Sequence, residues 1–335
     1  MKILGIESSC DDTCAAIVED GRILIANEIA SSAEEQNLYG GVVPEIASRR
    51  HIENISLVTK TALDKAQLTM SDIDAVAVTF APGLIGAVLV GVSFAKSLAF
   101  AQDKPLVPVH HLRGHIAALY LTHLQLTPPF LCLVASGGHS HIVKVNSYTS
   151  FEVMGRTVDD AAGEAFDKVS RTLKLGYPGG PAVSKAALTG NENRYKLPTP
   201  HVEGKYDVSF SGLKTAVLNI INHAEMTGEE INVNDMAASF EARISEILAD
   251  KLLLAAKDIG ADKICLAGGV AANRRLRTNV ENGAKRLCAK VYLPQMNLCG
   301  DNAAMIAAQG YYEYLAGKRG SNALNGIPSL PIDYE

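Results

Sequence analysis

The sequence contains no Cys-x-x-Cys pair, a spacing that marks many metal-binding and redox-active cysteines. Its cysteines are scattered singly, and several lie inside apolar runs, where free thiols are usually buried. We therefore expect reduced cysteines and a cytoplasmic location. The six residues are Cys10, Cys14, Cys132, Cys265, Cys288 and Cys299.

Long apolar runs are also missing. The N-terminus reaches Glu7 and then Asp11 and Asp12 before a signal-peptide core of about 7–15 apolar residues can form. The longest later run, 87–100, is interrupted by Lys96 and is shorter than the roughly 18 apolar residues of a membrane-spanning helix. We expect a soluble protein with no membrane partner.

An excess of positive charge is the third absence. The chain has 31 Lys and Arg against 36 Asp and Glu, a net charge of -5. Global attraction to nucleic acid is therefore excluded, and any such contact is local or shared with a partner. Short basic clusters at 49–51, 274–277 and 318–319 are either solvated surface or local phosphate contacts.

What is present is the composition of an ordinary globular protein. Hydrophobic residues make up 47% of the 335 residues and charged residues 20%, which excludes disordered and coiled-coil classes. At about 100–200 residues per domain, the length predicts two domains.

The order of predicted elements repeats once along the chain. A hairpin over 3–18 is followed by a buried strand at 73–79, a glycine-containing loop and a small-residue helix to about Phe100. The same series recurs with a hairpin over 130–145, a strand at 263–267, Gly268-Gly269 and a helix from about Asn273. We predict an α/β protein with duplicated domains, a linker near 104–108 and a helical insertion of roughly 100 residues in the second domain.

Glycine-rich loops end two of the predicted strands, at Ser136-Gly137-Gly138 and Gly268-Gly269. Bare backbone N–H groups in such loops can bind an anion. A Gly-Gly pair is more often only a tight turn, but two pairs in equivalent places of a repeat favour phosphate binding. Ser8 and Ser9 in the first hairpin fit the same pattern.

His111 and His115 are four residues apart, so on a helix both imidazoles project from one face and can share a metal ion. The alternative is a polar surface pair. Asp301 could complete a two-His, one-carboxylate site suited to iron or zinc, or it could only cap the helix that follows it. A zinc peptidase is not indicated, because Leu112 occupies the place of the catalytic Glu.

Asp160, Glu164 and Asp167 have the spacing of one helical face. This face is either simply solvated or bound to a ligand. In the second interpretation Asp167 accepts hydrogen bonds from a ligand hydroxyl such as that of a ribose. The turn at 176–181 could lie against the same ligand.

Short motifs follow one another from Lys2 to about Gly310. They are Gly5-Ile6-Glu7-Ser8-Ser9-Cys10-Asp11-Asp12, His111-x-x-x-His115, Ser136-Gly137-Gly138-His139, Gly176-Tyr177-Pro178-Gly179-Gly180-Pro181, Ser209-Phe210-Ser211-Gly212-Leu213-Lys214, Gly268-Gly269-Val270-x-x-Asn273 and Cys299-Gly300-Asp301-Asn302. In this order they strongly resemble the universal tRNA threonylcarbamoyladenosine transferase family, in its bacterial branch, whose older description was a sialoglycoprotein endopeptidase.

The resemblance implies the two-domain α/β fold of actin, hexokinase and heat-shock-chaperone ATPases, with duplicated domains and a central cleft. We expect the first domain to cover 1–106 plus roughly 302–335, and the second to cover 107–301. Carried over position by position, the resemblance gives one divalent metal per subunit, iron or zinc, on His111, His115 and Asp301. It gives an adenylate or ATP ligand on Val134, Ala135, Ser136, Gly137, Gly138, Asp167, Gly180 and Asn273.

The implied reaction transfers the threonylcarbamoyl group from threonylcarbamoyl-adenylate to the exocyclic amine of the adenosine 3′ of the anticodon. The substrates are tRNAs that read codons starting with A, and the leaving group is AMP. No covalent nucleophile is evident, so we expect direct transfer, with Asp11 as the candidate base. The resemblance also implies a heterodimer with a paralogous actin-fold subunit, and a small ATPase partner.

Two other functions fit parts of the sequence. An actin-fold kinase that phosphorylates a small molecule with ATP explains the repeat and the glycine loops but leaves His111 and His115 without a role. A non-enzymatic nucleotide-binding scaffold needs neither these histidines nor Asp301. A tightly bound metal would favour the transferase over both of these alternatives.

Overall fold

A computed structural model of the chain describes residues 1–334. The strands are β1 (Lys2–Glu7), β2 (Asp12–Glu19), β3 (Ile23–Ser31), β4 (Ala75–Ala81), β5 (Leu106–His110), β6 (Phe130–Ala135), β7 (Ser140–Ser147), β8 (Ser150–Arg156), β9 (Lys263–Ala267) and β10 (Lys290–Tyr292). The helices are α1 (Ala33–Asn37), α2 (Pro44–Ala66), α3 (Ile85–Ala101), α4 (His111–Thr122), α5 (Ala162–Thr172), α6 (Gly179–Ala187), α7 (Ser211–Thr227), α8 (Val233–Ile259), α9 (Arg274–Arg286) and α10 (Ala303–Leu315). Within these residues, no helix is long and apolar enough to cross a membrane.

The chain divides into two compact units and forms two five-stranded sheets, one mainly in each unit, with parts of β7 and β8 grouped with the first unit. The first unit comprises Met1–Pro129, Val145–Glu152 and Pro294–Glu335, and the second comprises Phe130–Lys144 and Val153–Leu293. The predicted boundaries at 106 and 302 differ from this division. Helix α4 packs against α10, so residues 107–129 and 294–301 group with the first unit.

The two sheets have the same strand order, which confirms the predicted duplication. The first sheet runs β3-β2-β1-β4-β5, and the second, read from its other end, runs β8-β7-β6-β9-β10. In the first sheet β1 pairs antiparallel with β2 and parallel with β4. In the second sheet β6 pairs parallel with β9, which pairs parallel with β10.

The linker predicted near 104–108 is wrong. Pro105 is followed directly by β5, which pairs parallel with β4. Pro108 is tolerated because β5 is an edge strand of its sheet, where one side of the backbone needs no ladder partner. The chain instead passes from the first unit to the second after Pro129.

Helices cover the first sheet because its strands are apolar on both faces. Leu4 and Ile6 of β1 join Ile55 of α2 and Val88 and Val92 of α3 in one buried cluster. Gly5 lies between them and faces the other way, where α10 packs on the strand. A side chain at Gly5 would meet the backbone of Ala303 and Ala307, so glycine permits this close approach.

The predicted helical insertion in the second unit is confirmed as α5–α8, between β8 and β9. The acidic face predicted there is only partly helical, because Asp160 precedes α5. Lys168 binds both Asp160 and Glu164, at 2.7 and 2.8 Å, so two of the three carboxylates are neutralised within the chain.

We predict that Gly5→Ala lowers the free energy of unfolding by about 1–3 kcal/mol, because α10 must move away from β1 to admit the methyl group. Chemical denaturation of the purified protein measures this. Gly300→Ala is the matched control in the same unit, since no atom lies within 4 Å of the added methyl group. Equal stability of the two variants would contradict the close packing.

Candidate active site

The first half of the site is built around a buried carboxylate. Glu7 ends β1 and is fully buried. Its Oε1 accepts a hydrogen bond from the Ser9 N–H, and its Oε2 accepts one from the Thr79 hydroxyl, both at 2.5 Å. The Nδ1 of His111 lies 2.9 Å from the same Oε2. These contacts satisfy Glu7 and set the orientation of the His111 ring.

The pKa values of this pair follow from their contact. Burial raises the pKa of Glu7, but the charge and hydrogen bond of His111 outweigh it and hold the pKa below its usual value. For His111, burial lowers the pKa, but the negative charges of Glu7 and Asp301 and the hydrogen bond to Glu7 outweigh burial and raise the pKa to about 9. In the metal-free protein the two therefore form a buried ion pair.

His115 lies one helical turn from His111, with the ring centroids 4.6 Å apart. Its Nε2 is 3.3 Å from Oδ1 of Asp301, and Nε2 of His111 is 3.5 Å from the same oxygen. Burial lowers the pKa of His115 and outweighs the effect of Asp301, so the ring is neutral, the form that binds metals.

These three residues fit a metal ion. His111, His115 and Asp301 each offer one ligand atom, and the three atoms lie within 4.8 Å of one another. Among residues 1–334, neither ring nitrogen of the buried His115 makes a hydrogen bond of acceptable geometry. A buried polar atom without a partner is costly, and a metal ligated at Nε2 would give that nitrogen a partner.

Two alternative interpretations are wrong: a polar surface pair for the two histidines, and a helix cap for Asp301. His111 and His115 are buried rather than a polar surface pair. Asp301 does not cap α10, because the side chain of Asn302 accepts the hydrogen bond from Met305 N–H and is itself the cap. Asp301 is thus left to face the histidines.

The loop after β1 brings further carboxylates to the same unit. Asp11 and Asp12 are half-buried, and His51 of α2 holds the loop through Thr13 Oγ1 at 2.8 Å and the Cys10 carbonyl at 3.0 Å. Burial raises the pKa of Asp12 to about 7, a hydrogen bond with Ser31 opposes this in part, and the charges of Asp11, Asp301 and Glu7 add to it. The loop therefore suits a nearby cation.

The second unit holds the predicted nucleotide residues. Val134 and Ala135 end β6, and Ser136-Gly137-Gly138 turns into β7. The carbonyls of Ser136 and Gly137 accept hydrogen bonds from the first N–H groups of α5, at Gly163 and Glu164. Apart from the adjacent residues, no atom lies within 4 Å of where a side chain would begin at Gly137 or Gly138, so the loop is open on that side, whereas α5 packs on its other side at Gly163.

Close backbone packing fixes the second glycine loop against the first. Gly268 has a φ of +87°, a conformation that other residues rarely adopt, and a side chain there would meet the backbone of Ala135. The ends of β6 and β9 are therefore in direct contact in this unit.

Asp167 and Gly180 also lie together. Oδ1 of Asp167 accepts a 2.7 Å hydrogen bond from the N–H of Gly179, at the start of α6. Gly179 packs directly on the backbone of Asp167, whereas the next residue, Gly180, has no neighbour within 4 Å of an added side chain. The predicted turn thus presents an open glycine beside a carboxylate.

The amide of Asn273 is already saturated by the protein. Its Nδ2 donates to Glu241 Oε1 at 2.7 Å and to Ser184 Oγ at 3.2 Å. Its Oδ1 accepts from Leu276 N–H at 2.9 Å, as the cap of α9, and from Ser245 Oγ at 3.3 Å. An asparagine side chain has no further capacity, so it binds a ligand only by giving up one of these bonds.

Three arginines of the basic clusters are neutralised within the chain. Arg49 pairs with Glu45, and Arg50 pairs with Glu35 and Glu53. Arg275 pairs with Glu192. These arginines are therefore weaker candidates for phosphate contacts than the sequence suggested.

Several residues of the site escaped the sequence analysis because their partners are distant in the chain. Thr79 binds Glu7, which is 72 residues away in the sequence. His51 contacts Thr13 at a separation of 38 residues, and Glu241 contacts Asn273 at a separation of 32. Glu7 carried a visible signal, since it is an acidic residue at the end of an apolar run.

Solved structures define the class of fold. Full-length HypF aligns with a TM-score of 0.60 at 16% identity, over 94% of this chain and 46% of that chain. The Acidaminococcus fermentans (R)-2-hydroxyglutaryl-CoA dehydratase component A aligns with a TM-score of 0.54 at 14% identity, over 94% and 99%. The chain has the duplicated α/β fold of the actin and hexokinase class of ATPases, as predicted.

Sequence relatives define the family. The family model for tRNA N6-adenosine threonylcarbamoyltransferase matches residues 23–308. Proteins of that name from Clostridium botulinum strain 657 and Clostridioides difficile strain 630 are 51% and 49% identical, each aligned over 98% of its own length and over 99% and 98% of this chain. The chain belongs to this family of transferases, which modify tRNA at adenosine N6. The kinase and scaffold alternatives are set aside.

The raised pKa of Asp12 predicts a pH-dependent stability. Between its unfolded pKa of about 3.9 and its folded value of about 7, the folded state binds more protons, so stability falls as pH rises. Asp12→Asn cannot titrate, and we expect its stability relative to the wild type to increase by about 1–3 kcal/mol from pH 4 to pH 8.

Denaturation of the protein in chelator at several pH values measures this difference. Asp64→Asn, at an exposed position on α2, is the control for the Asp-to-Asn substitution itself. A difference for Asp12→Asn that stays constant with pH would contradict the raised pKa.

Proposed function

We propose that this transferase uses threonylcarbamoyl-adenylate as the donor and a metal held by His111, His115 and Asp301. The observation that carries the proposal is the buried His111, His115 and Asp301 cluster, in which His115 has no well-formed hydrogen bond among residues 1–334. The open positions at Gly137, Gly138 and Gly180 of the second unit support the choice of an adenylate donor.

The reaction is an acyl transfer from a mixed anhydride. The lone pair of the adenosine N6 amine attacks the carbamoyl carbon, and the bond from that carbon to the phosphate oxygen breaks. AMP leaves with the electron pair, and one proton is lost from the attacking nitrogen. No covalent intermediate on the protein is needed, since the buried cysteines have raised pKa values and are poor nucleophiles.

A divalent ion, iron or zinc, would be held by His111, His115 and Asp301, and when bound it supplies positive charge that favours the negative charge developing on the leaving phosphate. The protein prepares this site in advance. Glu7 orients His111 through Nδ1, which leaves Nε2 directed at Asp301. Such an outer carboxylate fixes the ring and raises its basicity as a ligand.

The second unit is proposed to bind the nucleotide. Within this loop, the backbone N–H groups of Gly137 and Gly138 suit the phosphate, because no side chain obstructs them. The Ser136 N–H already donates to the His139 carbonyl at 2.8 Å, so it would bind a phosphate only by giving up that bond. Asp167 is proposed to accept a ribose hydroxyl, with Gly180 lying against the nucleoside. Asn273 is assigned a ligand contact through exchange of one of its internal hydrogen bonds.

Asp11 is the proposed acceptor of the proton lost from the N6 amine. It is half-buried in the β1–β2 loop, beside Asp12 and in the same unit as the two histidines. A carboxylate acts as a general base when it lies within hydrogen-bond reach of the proton that it removes.

We propose that partner proteins supply the positive charge for tRNA binding that this chain lacks. The net charge is -5, and Arg49, Arg50 and Arg275 are paired internally, so tRNA binding by this chain alone is expected to be weak. We propose a heterodimer with a paralogous actin-fold subunit, assisted by a small ATPase. The free cysteines support a reducing, cytoplasmic setting.

We predict that His115→Ala lowers transfer of labelled threonine to unmodified tRNA by about 100-fold or more, since charge stabilisation worth several kcal/mol is lost. The assay supplies threonylcarbamoyl-adenylate directly, together with the helper subunits, and metal content is measured in parallel. His201→Ala, at an exposed position, is the control.

Retained transfer in metal-free His115→Ala would remove the metal from the mechanism. Absence of transfer by the wild type, with active helper subunits and the adenylate present, would overturn the proposed donor.

We predict that Gly180→Val weakens AMP binding about tenfold or more, because the new side chain enters the space assigned to the nucleoside. The unfolding temperature should not change, since no protein atom lies within 4 Å of the added group's first carbon. Gly212→Val, equally free of neighbours in the same unit, is the control. Calorimetry measures both quantities, and unchanged AMP affinity would contradict the assignment.

A further inference from the structure

The C-terminal segment 327–334, here called the tail, lies against the start of α4, the helix of the two histidines. Alternate carbonyls of the tail accept hydrogen bonds from α4 and the residue before it. Nε2 of His110 is 3.0 Å from the Leu330 oxygen. Arg113 donates from Nε to Ile332 at 2.9 Å and from Nη2 to Tyr334 at 2.5 Å.

His110 connects the tail to the first turn of α4. Its Nδ1 accepts a hydrogen bond from the Leu112 N–H and so caps the helix. Because a backbone N–H can only donate, Nδ1 is unprotonated and Nε2 carries the proton that is donated to Leu330. One imidazole therefore fixes both the helix start and the tail.

Arg113 is a fully buried cation whose compensation depends on the tail. Its Nη1 pairs with Oε1 of buried Glu313 at 3.3 Å. Its guanidinium carbon lies 4.0 Å from the ring centroid of Tyr334 and 4.8 Å from that of Phe151. Without the tail, Arg113 would lose two carbonyl acceptors and the nearer aromatic ring, which is costly for a buried charge.

The tail is anchored independently of α4. Ile332 is 1% exposed. The N–H of Ile327 donates to the Phe80 carbonyl at 2.8 Å, and the Phe80 ring meets the Tyr334 ring edge-on at 6.0 Å. Phe80 belongs to β4, as does Thr79, which binds Glu7. The tail thus ties α4 to the strand beside the site.

We propose that the tail is a positioning element for the metal centre, acting through His110 and Arg113. These residues flank His111, so the tail holds the backbone on both sides of the first ligand and sets the turn that leads to His115. The inference rests on the proposed metal site. Positioning residues outside the ligand set commonly change metal affinity by 10–100-fold.

The test compares Co²⁺ binding to full-length variants. Tyr334→Leu should weaken Co²⁺ affinity about tenfold and alter the visible absorption of the bound ion. Tyr334→Phe keeps the ring and should bind as the wild type does. Tyr314→Leu is the matched control, since Tyr314 also lies beneath an arginine, Arg319 at 3.5 Å, and that arginine belongs to neither α4 nor the tail.

A second measurement needs no variant. If the tail and the metal site are coupled, Co²⁺ binding to the wild type must in turn slow amide exchange in the tail, including at Ile327. Wild-type affinity and spectrum in Tyr334→Leu, or unchanged exchange in the tail, would overturn the inference while leaving the metal site intact. Failure of the wild type to bind Co²⁺ in a His115-dependent manner would overturn both.

Discussion

The buried contact between Glu7 and His111 is the constraint on which the first half of the site depends. A carboxylate with no exposed surface must be satisfied on both oxygens, and here the Ser9 N–H, the Thr79 hydroxyl and His111 do so. Because these partners come from a loop, a strand and a helix, satisfying one charge fixes three elements relative to one another. The orientation of Nε2 of His111 towards Asp301 is a consequence.

The duplicated fold uses the same place in each unit for different chemistry. After β1 the chain forms an acidic loop beside the histidines, whereas after β6 it forms an open glycine loop. Carboxylate and imidazole groups suit a cation, and bare backbone N–H groups suit an anion.

Stability and function are linked through buried polar groups rather than through the apolar core alone. Arg113, Glu313 and the tail form one such set, and the half-buried Asn273, Glu241 and Ser184 form a second hydrogen-bonded set. Within each set every member depends on the others, because loss of one partner leaves a donor or acceptor unpaired. This makes residues remote from the ligands part of the site's geometry.

The sequence by itself determined the order of elements, the duplication, the helical insertion and the pairing of His111 with His115. Each is a local property, since apolar periodicity, glycine positions and an i, i+4 spacing do not depend on distant residues. Only the tertiary structure decided that Asn302 rather than Asp301 caps α10, that Asp160 precedes α5 and that Asn273 is saturated. It also decided that the tail contacts α4, since Arg113 and Tyr334 are 221 residues apart. Such contacts depend on how whole elements pack, which no local pattern records.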